Sequence, residues 1–316
     1  LARPADPPAR PVTDTAPAPA VRSILPDPAS VRQGPLDDFV VAPLSFRGDC
    51  DFQRQDGPDG SYFRCGTQAT RAVSGAAVQP RLIVTVGDLR FRTEQLPVRG
   101  VVVTGLRYHA VPGFTPVIER AGLLGETLAG VASDQVAGWT PSSPTQLRSL
   151  ATTPLVGTVV DGSRRLAQLL ITFGQHHPGS GVQRLIDEVD IELLYSGHSD
   201  WSEPDVQSVA VDERGILTVR VVDPGSDVAR VQALCDDAEG GWRGVELAPT
   251  GGQWSGDVAA FDACVVQTVD RAGNVRLDDN LGQLFDAPGP QRADRQHTVF
   301  LPVGFTLTRG TAETGH

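Results

Sequence analysis

The sequence predicts an all-β protein organised as two successive β-sandwiches. Three observations carry this expectation. From residue 39 to residue 286 the chain is a series of short apolar or alternating runs, separated by Gly, Pro, Asp and Asn turn signals. Helical patterning is confined to two short stretches, residues 116–124 and 144–150, the second preceded by Ser143 as a cap. The four cysteines fall as two local pairs, Cys50 with Cys65 and Cys235 with Cys264, one in each half of the strand-rich region.

Residues 1–38 come first and differ from the rest. Pro4, Pro7, Pro8, Pro11, Pro17, Pro19, Pro26, Pro28 and Pro35 punctuate an Ala-rich stretch. Proline fixes φ and removes a donor, so this segment suits an extended arm or linker and not a helix or a central strand.

Residues 39–199 supply the larger sandwich. The runs 82–86, 100–108, 155–160 and 165–173 are rich in Val, Leu and Ile, and Val189-Asp190-Ile191-Glu192-Leu193 alternates with the period of a half-buried strand. Turns such as Asp56-Gly57-Pro58-Asp59-Gly60 separate them. Many short strands of this kind fit a jelly-roll-like β-sandwich. Residues 203–286 repeat the style over a shorter length, with runs at 206–211, 216–222, 229–235, 242–247, 253–258 and 264–269. Six or seven strands in about 80 residues fit a smaller, Ig-like β-sandwich. The junction is expected at residues 198–204. Residues 287–316 form a C-terminal tail with a strand-like segment.

Composition removes several function classes. Hydrophobic residues make up 40% of the 316, enough for packed cores. The longest apolar runs fall far short of the about 20 residues a membrane helix needs, so no membrane span is expected. The net charge is −11, and no Lys/Arg-rich run offsets it, which argues against nucleic acid as a partner. All 27 basic residues are Arg. Schiff-base, Lys general-base and phosphate-loop Lys chemistry are therefore excluded. The chain has no Met and begins at Leu1 without a charged-then-apolar leader. Removal of a signal peptide leaves such a start, and so does excision from a longer chain.

Neither cysteine pair has metal-type CxxC spacing or a nearby His. Two disulfides, Cys50–Cys65 and Cys235–Cys264, are the simplest pairing, each worth about 3 kcal/mol, and they imply an oxidising compartment. Asp49, Asp51, Asp56 and Asp59 crowd the loop at Cys50, and oxygen ligands at such spacing would suit Ca2+; solvated turn carboxylates are the plainer reading. Asp212, Asp223 and Asp270 raise the same question in the second sandwich. No other cofactor is indicated. His176 and His177 read as a loop tip, because neighbours in an extended chain point opposite ways. Gly197-His198-Ser199-Asp200 holds the letters of a hydrolytic triad, but consecutive residues cannot converge as a triad must. No GxSxG or HExxH pattern occurs, and the reading is not that of an enzyme.

Three stretches resemble modules of secreted bacterial surface proteins. Leu96-Pro97-Val98-Arg99-Gly100 leading into Val102-Val103-Thr104-Gly105-Leu106, with Gly138-Trp139-Thr140-Pro141 and a closing Ile186-Asp187-Glu188-Val189-Asp190-Ile191-Glu192-Leu193-Leu194-Tyr195, is similar to a jelly-roll sandwich repeat of adhesin-like proteins. Val222-Asp223-Pro224-Gly225-Ser226-Asp227-Val228 and Val269-Asp270-Arg271-Ala272-Gly273-Asn274-Val275 resemble bacterial Ig-like domains, which usually lack a disulfide, so the second cysteine pair is a departure. His297-Thr298-Val299-Phe300-Leu301-Pro302-Val303 resembles a short C-terminal signature of some secreted bacterial proteins, and no sortase pattern is present. These resemblances imply cell-surface or appendage location, adhesion or assembly, with no catalytic residues to carry over.

The expected function is therefore structural: a filament, sheath or adhesin subunit that adds a strand to a neighbour's sheet. Thr298, Val299, Phe300, Leu301, Val303, Phe305 and Leu307 are the first candidates for the donated strand; Phe39, Val41 and Leu44 are the second. The expected partners are further copies of the chain or other surface proteins. The alternative is a carbohydrate-binding, lectin-like module that holds polysaccharide on exposed Trp139, Trp201, Trp242 or Trp254.

Overall fold

Strands joined by tight turns make up the fold. The computed structural model describes residues 22–24, 26–27, 29–36, 38–47, 52–58, 60–65, 78–117, 160–161, 164–165, 167–177, 181–237, 240–278, 280, 285–287 and 307–308. The first part of the chain gives β1 (Arg22–Ile24), β2 (Arg32–Gln33), β3 (Val40–Arg47), β4 (Phe52–Gly57), β5 (Gly60–Cys65), β6 (Arg81–Val86), β7 (Leu89–Phe91), β8 (Glu94–Leu96) and β9 (Val98–Val111). Next come β10 (Val160–Asp161), β11 (Arg164–Arg165), β12 (Ala167–Thr172), β13 (Gly174–His177) and β14 (Val182–Tyr195). The remainder gives β15 (Asp205–Val211), β16 (Ile216–Val222), β17 (Val228–Asp236), β18 (Gly241–Glu246), β19 (Ala248–Thr250), β20 (Gln253–Asp257), β21 (Ala263–Asp270), β22 (Val275–Asp278), β23 (Phe285–Asp286) and β24 (Leu307–Thr308).

The described residues contain no helix, and none long and apolar enough to cross a membrane. Apart from Pro116 and Val117, both helix candidates lie outside them. The protein is an all-β sandwich fold. In the larger sandwich, β6 and β12 face β3, β14 and β9. Val84, Val86, Leu169 and Ile171 meet Ala42, Val103, Ile191 and Leu193 in one buried cluster. In the smaller, the sheet β15-β16-β20-β19 packs on β17 and β21, with Leu217, Val219, Val231, Val266 and both cysteines of the second pair inside.

One sheet runs through both sandwiches. Its order is β2-β3-β14-β9-β18-β17-β21-β22. The chain passes from the first sandwich to the second after Tyr195, but the ladder continues: Gly241, Trp242 and Arg243 of β18 pair with Arg107, Leu106 and Gly105 of β9. Trp242 is buried in the larger core, beside residues of the first sandwich.

The long strands β9 and β14 are covered on both faces over Val98 to Val103 and Ile191 to Tyr195. Leu193 faces the larger core, while Leu194 faces a second cluster with Phe39, Val41, Val102, Ala229 and Val269. Close approach here depends on Gly100. A Cβ on that residue would lie 2.3 Å from Val275 Cγ2 and 2.8 Å from the Gly273 carbonyl.

Next to a register break in β9, a buried side chain binds the strand's backbone. The pairing shifts between Asp190 and Ile191, leaving Thr104 without a partner opposite. Beside it, Gln267 binds both backbone groups of Val103, the residue opposite Ile191: its Nε2 donates to the Val103 carbonyl at 2.8 Å, and its Oε1 accepts the Val103 N–H at 2.9 Å. Gln267 also donates to Gln232 Oε1 at 3.2 Å, so the buried amide is satisfied throughout.

Candidate functional site

Two places gather the residues singled out from the sequence: the sheet edges where the chain's terminal segments lie, and an acidic cluster where the sandwiches meet.

At the edges, the four-stranded sheet has the order β1-β6-β12-β24. Its centre is the antiparallel pair β6 and β12, matched from Ala167 opposite Val86 to Thr172 opposite Arg81. β1, from the Pro-rich arm, lies parallel to β6, with Arg22 opposite Val84 and Ile24 opposite Val86. β24, from the tail, lies antiparallel to β12, with Leu307 opposite Leu169 and Thr308 opposite Gln168. A bare two-stranded ribbon has unpaired donors and acceptors along both sides. Here each side receives a strand from one end of the chain.

Of the first strand candidates, Leu307 is thus placed in β24; Thr298, Val299, Phe300, Leu301, Val303 and Phe305 lie outside the described residues. Of the second, Phe39 precedes β3 and is buried, Val41 is buried within β3, and Leu44 packs partly buried against the larger core. β3 is paired with β14 along its length and with β2 at Val40 and Val41, so these three residues belong to their own chain's sheet.

At the junction, Asp200, Asp223 and Asp270 bring carboxylate oxygens within 4.8 Å of one another. Each comes from a different connection. Asp223 follows β16 and closes an Asx turn, accepting the N–H of Gly225 at 2.7 Å and of Ser226 at 3.3 Å. Asp270 ends β21 and is fully buried; its oxygens accept the Asn274 N–H at 2.8 Å and the Asn274 Nδ2 at 2.7 Å. Asp200 lies in the linker and accepts the Ser202 N–H at 3.0 Å. Gly225 leaves room for it, since a Cβ there would sit 2.2 Å from Asp200 Oδ2.

Arg99 supplies a cation beside this group. It donates to the carbonyls of Ser196 and Asp200 and stacks on the ring of Trp201. Burial pulls its pKa down to about 10, against attraction from Asp270 and Asp200. One guanidinium beside three carboxylates leaves an excess of negative charge. A proton relieves it: burial raises Asp270 to about 6, with Asp223 adding to the rise and Asn274 opposing it. Ca2+, the hard cation that takes oxygen ligands, would answer the same excess.

The proton has a measurable consequence. A carboxyl whose pKa is higher in the folded than in the unfolded chain makes the folded state bind more protons in between, so its contribution to stability falls as pH rises from about 4 to about 6. Asp270→Asn keeps the neutral form at every pH. Urea denaturation should show the variant gaining on the parent chain between pH 4.5 and pH 7.5; a constant difference would mean that Asp270 does not titrate there.

Of Asp212, Asp223 and Asp270, for which the sequence raised the calcium question, the structure brings Asp223 and Asp270 together. Asp212 instead caps its own turn, accepting the N–H groups of Arg214 at 2.9 Å and Ile216 at 2.8 Å. Asp200 takes the third place. Its only signal was its presence in Gly197-His198-Ser199-Asp200, where the structure shows a local turn: His198 Nδ1 accepts the Asp200 N–H at 3.1 Å.

Asp49, Asp51 and Asp59 lie outside the described residues. Asp56 is exposed and bound to Arg54 and the Ser61 hydroxyl, which hold its carboxyl below the ordinary range, Ser61 contributing most. His176 and His177 are not a loop tip: both belong to β13, opposite Gln183 and Val182 of β14. Cys235 and Cys264 form a disulfide with Cα atoms 4.0 Å apart. Cys50 lies outside the described residues, and Cys65 closes β5 opposite Phe52.

No protein-family model matches the chain. No curated protein sequence matches it either.

Proposed function

We propose that the protein is a structural extracellular subunit that assembles by β-strand addition between copies. The observation that carries this reading is the placement of β1 and β24 on opposite edges of the β6–β12 pair. Among the described residues, the terminal segments join the sheet through Arg22–Ile24 and Leu307–Thr308. A short terminal strand that completes a sheet within its own chain can complete the same sheet in a neighbour, with the same hydrogen bonds. Head-to-tail exchange of this kind is open and yields a polymer.

Other features fit this setting. The Cys235–Cys264 disulfide suits an oxidising compartment, as a secreted or surface-displayed protein meets. A polysaccharide-binding face would need an exposed aromatic platform. Among the described residues, Trp242 is buried, Trp254 packs partly buried against the smaller core, and the exposed Trp201 is stacked on Arg99. That arrangement favours the structural reading over the lectin-like one.

Light scattering and negative-stain microscopy over a range of concentrations test it. The full chain should form linear oligomers that grow with concentration, and a chain ending at residue 296 should not. A full chain that stays monomeric at the highest concentration contradicts the proposal.

A further inference from the structure

In a free-standing sandwich, residues on the inner face of each strand alternate with polar residues turned outward. The pair β17 and β21 breaks this rule. Every residue of β21 is buried. Val231, Ala233, Cys264 and Val266 turn to the smaller core. The alternate positions Leu234, Ala263 and Val265 belong to the larger core instead. Further along the same strand, Val269 meets Phe39, Val102 and Leu194 of the first sandwich. One pair of strands therefore serves as a wall of both cores.

The polar residues on this shared face find their partners across the joint. Gln267 of β21 binds both backbone groups of Val103 in β9. Arg230 of β17 pairs with Glu192 of β14, their side chains 12% and 7% exposed. At the other end of β17, Asp236 takes Arg184 of β14. Parting the sandwiches would expose the apolar positions to water and undo each of these pairs together.

The connecting segment is tied from both sides. Arg99 of β9 donates to the carbonyls of Ser196 and Asp200. Asn274, in the turn after β21, donates to the Ser202 carbonyl at 2.9 Å. Units within one chain move relative to one another unless their interface is large and hydrophobic. Here the interface is core.

We infer that the two sandwiches are one cooperative folding unit, in which β17 and β21 form a layer common to both cores and residues 196–202 are a strap across the joint, not a hinge. A defect in the smaller core is then felt throughout the larger one. This coupling does not depend on assembly between copies.

The test is hydrogen exchange of the full chain, read by mass spectrometry at low protein concentration across a urea series. Peptides covering β6 and β12 report the larger sandwich, and peptides covering β16 and β20 report the smaller. Both sets should lose protection at the same urea concentration. Leu217 is fully buried in the smaller core, away from the joint. Leu217→Ala should speed exchange of the slowest amides in both sets by the same factor, about thirtyfold or more. The unaltered chain carries the test even if that variant does not fold. Protection lost at two different urea concentrations, or a Leu217→Ala effect confined to β16 and β20, would overturn the inference.

Discussion

Replacing Arg184 with Met should lower the unfolding free energy by about 3–5 kcal/mol, because it strands a buried carboxylate. Arg184 projects from β14 and Asp236 ends β17, so the pair bridges the two sandwiches. Their side chains are 10% and 11% exposed, and both terminal nitrogens of Arg184 donate to Asp236 Oδ2, at 3.3 and 3.4 Å. The guanidinium also lies 3.9 Å from the centre of the Tyr108 ring, whose hydroxyl reaches the other Asp236 oxygen at 3.3 Å. Burial pulls the Arg184 pKa down and Asp236 holds it up. The loss comes from leaving Asp236 desolvated without its cation, so Arg184→Met with Asp236→Leu should recover most of it. Urea unfolding of the two single variants and the double variant closes the cycle. A cost below about 1 kcal/mol for Arg184→Met would place this pair with exposed ion pairs and remove it as a tie between the halves.

Removing the Cys235–Cys264 bond should cost about 3–4 kcal/mol. The bond closes a 29-residue separation, and by chain-entropy reasoning a loop of that length restricts the unfolded chain by this amount. Cys235 and Cys264 are directly opposed on neighbouring strands, β17 and β21, and both are fully buried in the smaller core. The bond ties adjacent strands of one sheet and not the two sheets of the sandwich. Cys235→Ala with Cys264→Ala should therefore keep the β-rich circular dichroism spectrum while lowering the melting temperature. An unchanged melting temperature would mean that the strand pairing alone holds this region together.

Much of the sandwich architecture was legible in the sequence. Short runs such as Ile216–Val222 and Ala263–Asp270 carry β-branched residues between turn signals, and each became a strand. The cysteine pair at 235 and 264 was legible because local spacing left few other partners. The sheet shared by both sandwiches was not. Its joint is three residue pairs between β18 and β9, and nothing in the Gly241–Glu246 segment distinguishes a strand on its own sandwich's edge from one that also meets another. Glu192 shows the same limit. Its place in an alternating run suggests a solvent-facing side chain, yet it is buried and bound by Arg32 and Arg230, because the second sandwich covers that face. The acidic junction was half legible. Asp223 and Asp270 sit in recognisable turn motifs, while Asp200 is held beside them by contacts far apart in sequence: Arg99 binds the Ser196 and Asp200 carbonyls and Asn274 binds the Ser202 carbonyl.

The account's central claim is that the strands at the chain's ends are exchangeable between copies. Full chains carrying Gln168→Cys and Thr308→Cys, which stand opposite one another, one batch grown with heavy isotopes and one without, can be unfolded together with reductant, refolded as an equal mixture and oxidised. Mass spectrometry of the linked peptides then shows whose tail lies on whose β12. Exchange predicts heavy–light links as the commonest class of joined peptide. Only heavy–heavy and light–light links, at concentrations where oligomers are present, would contradict it.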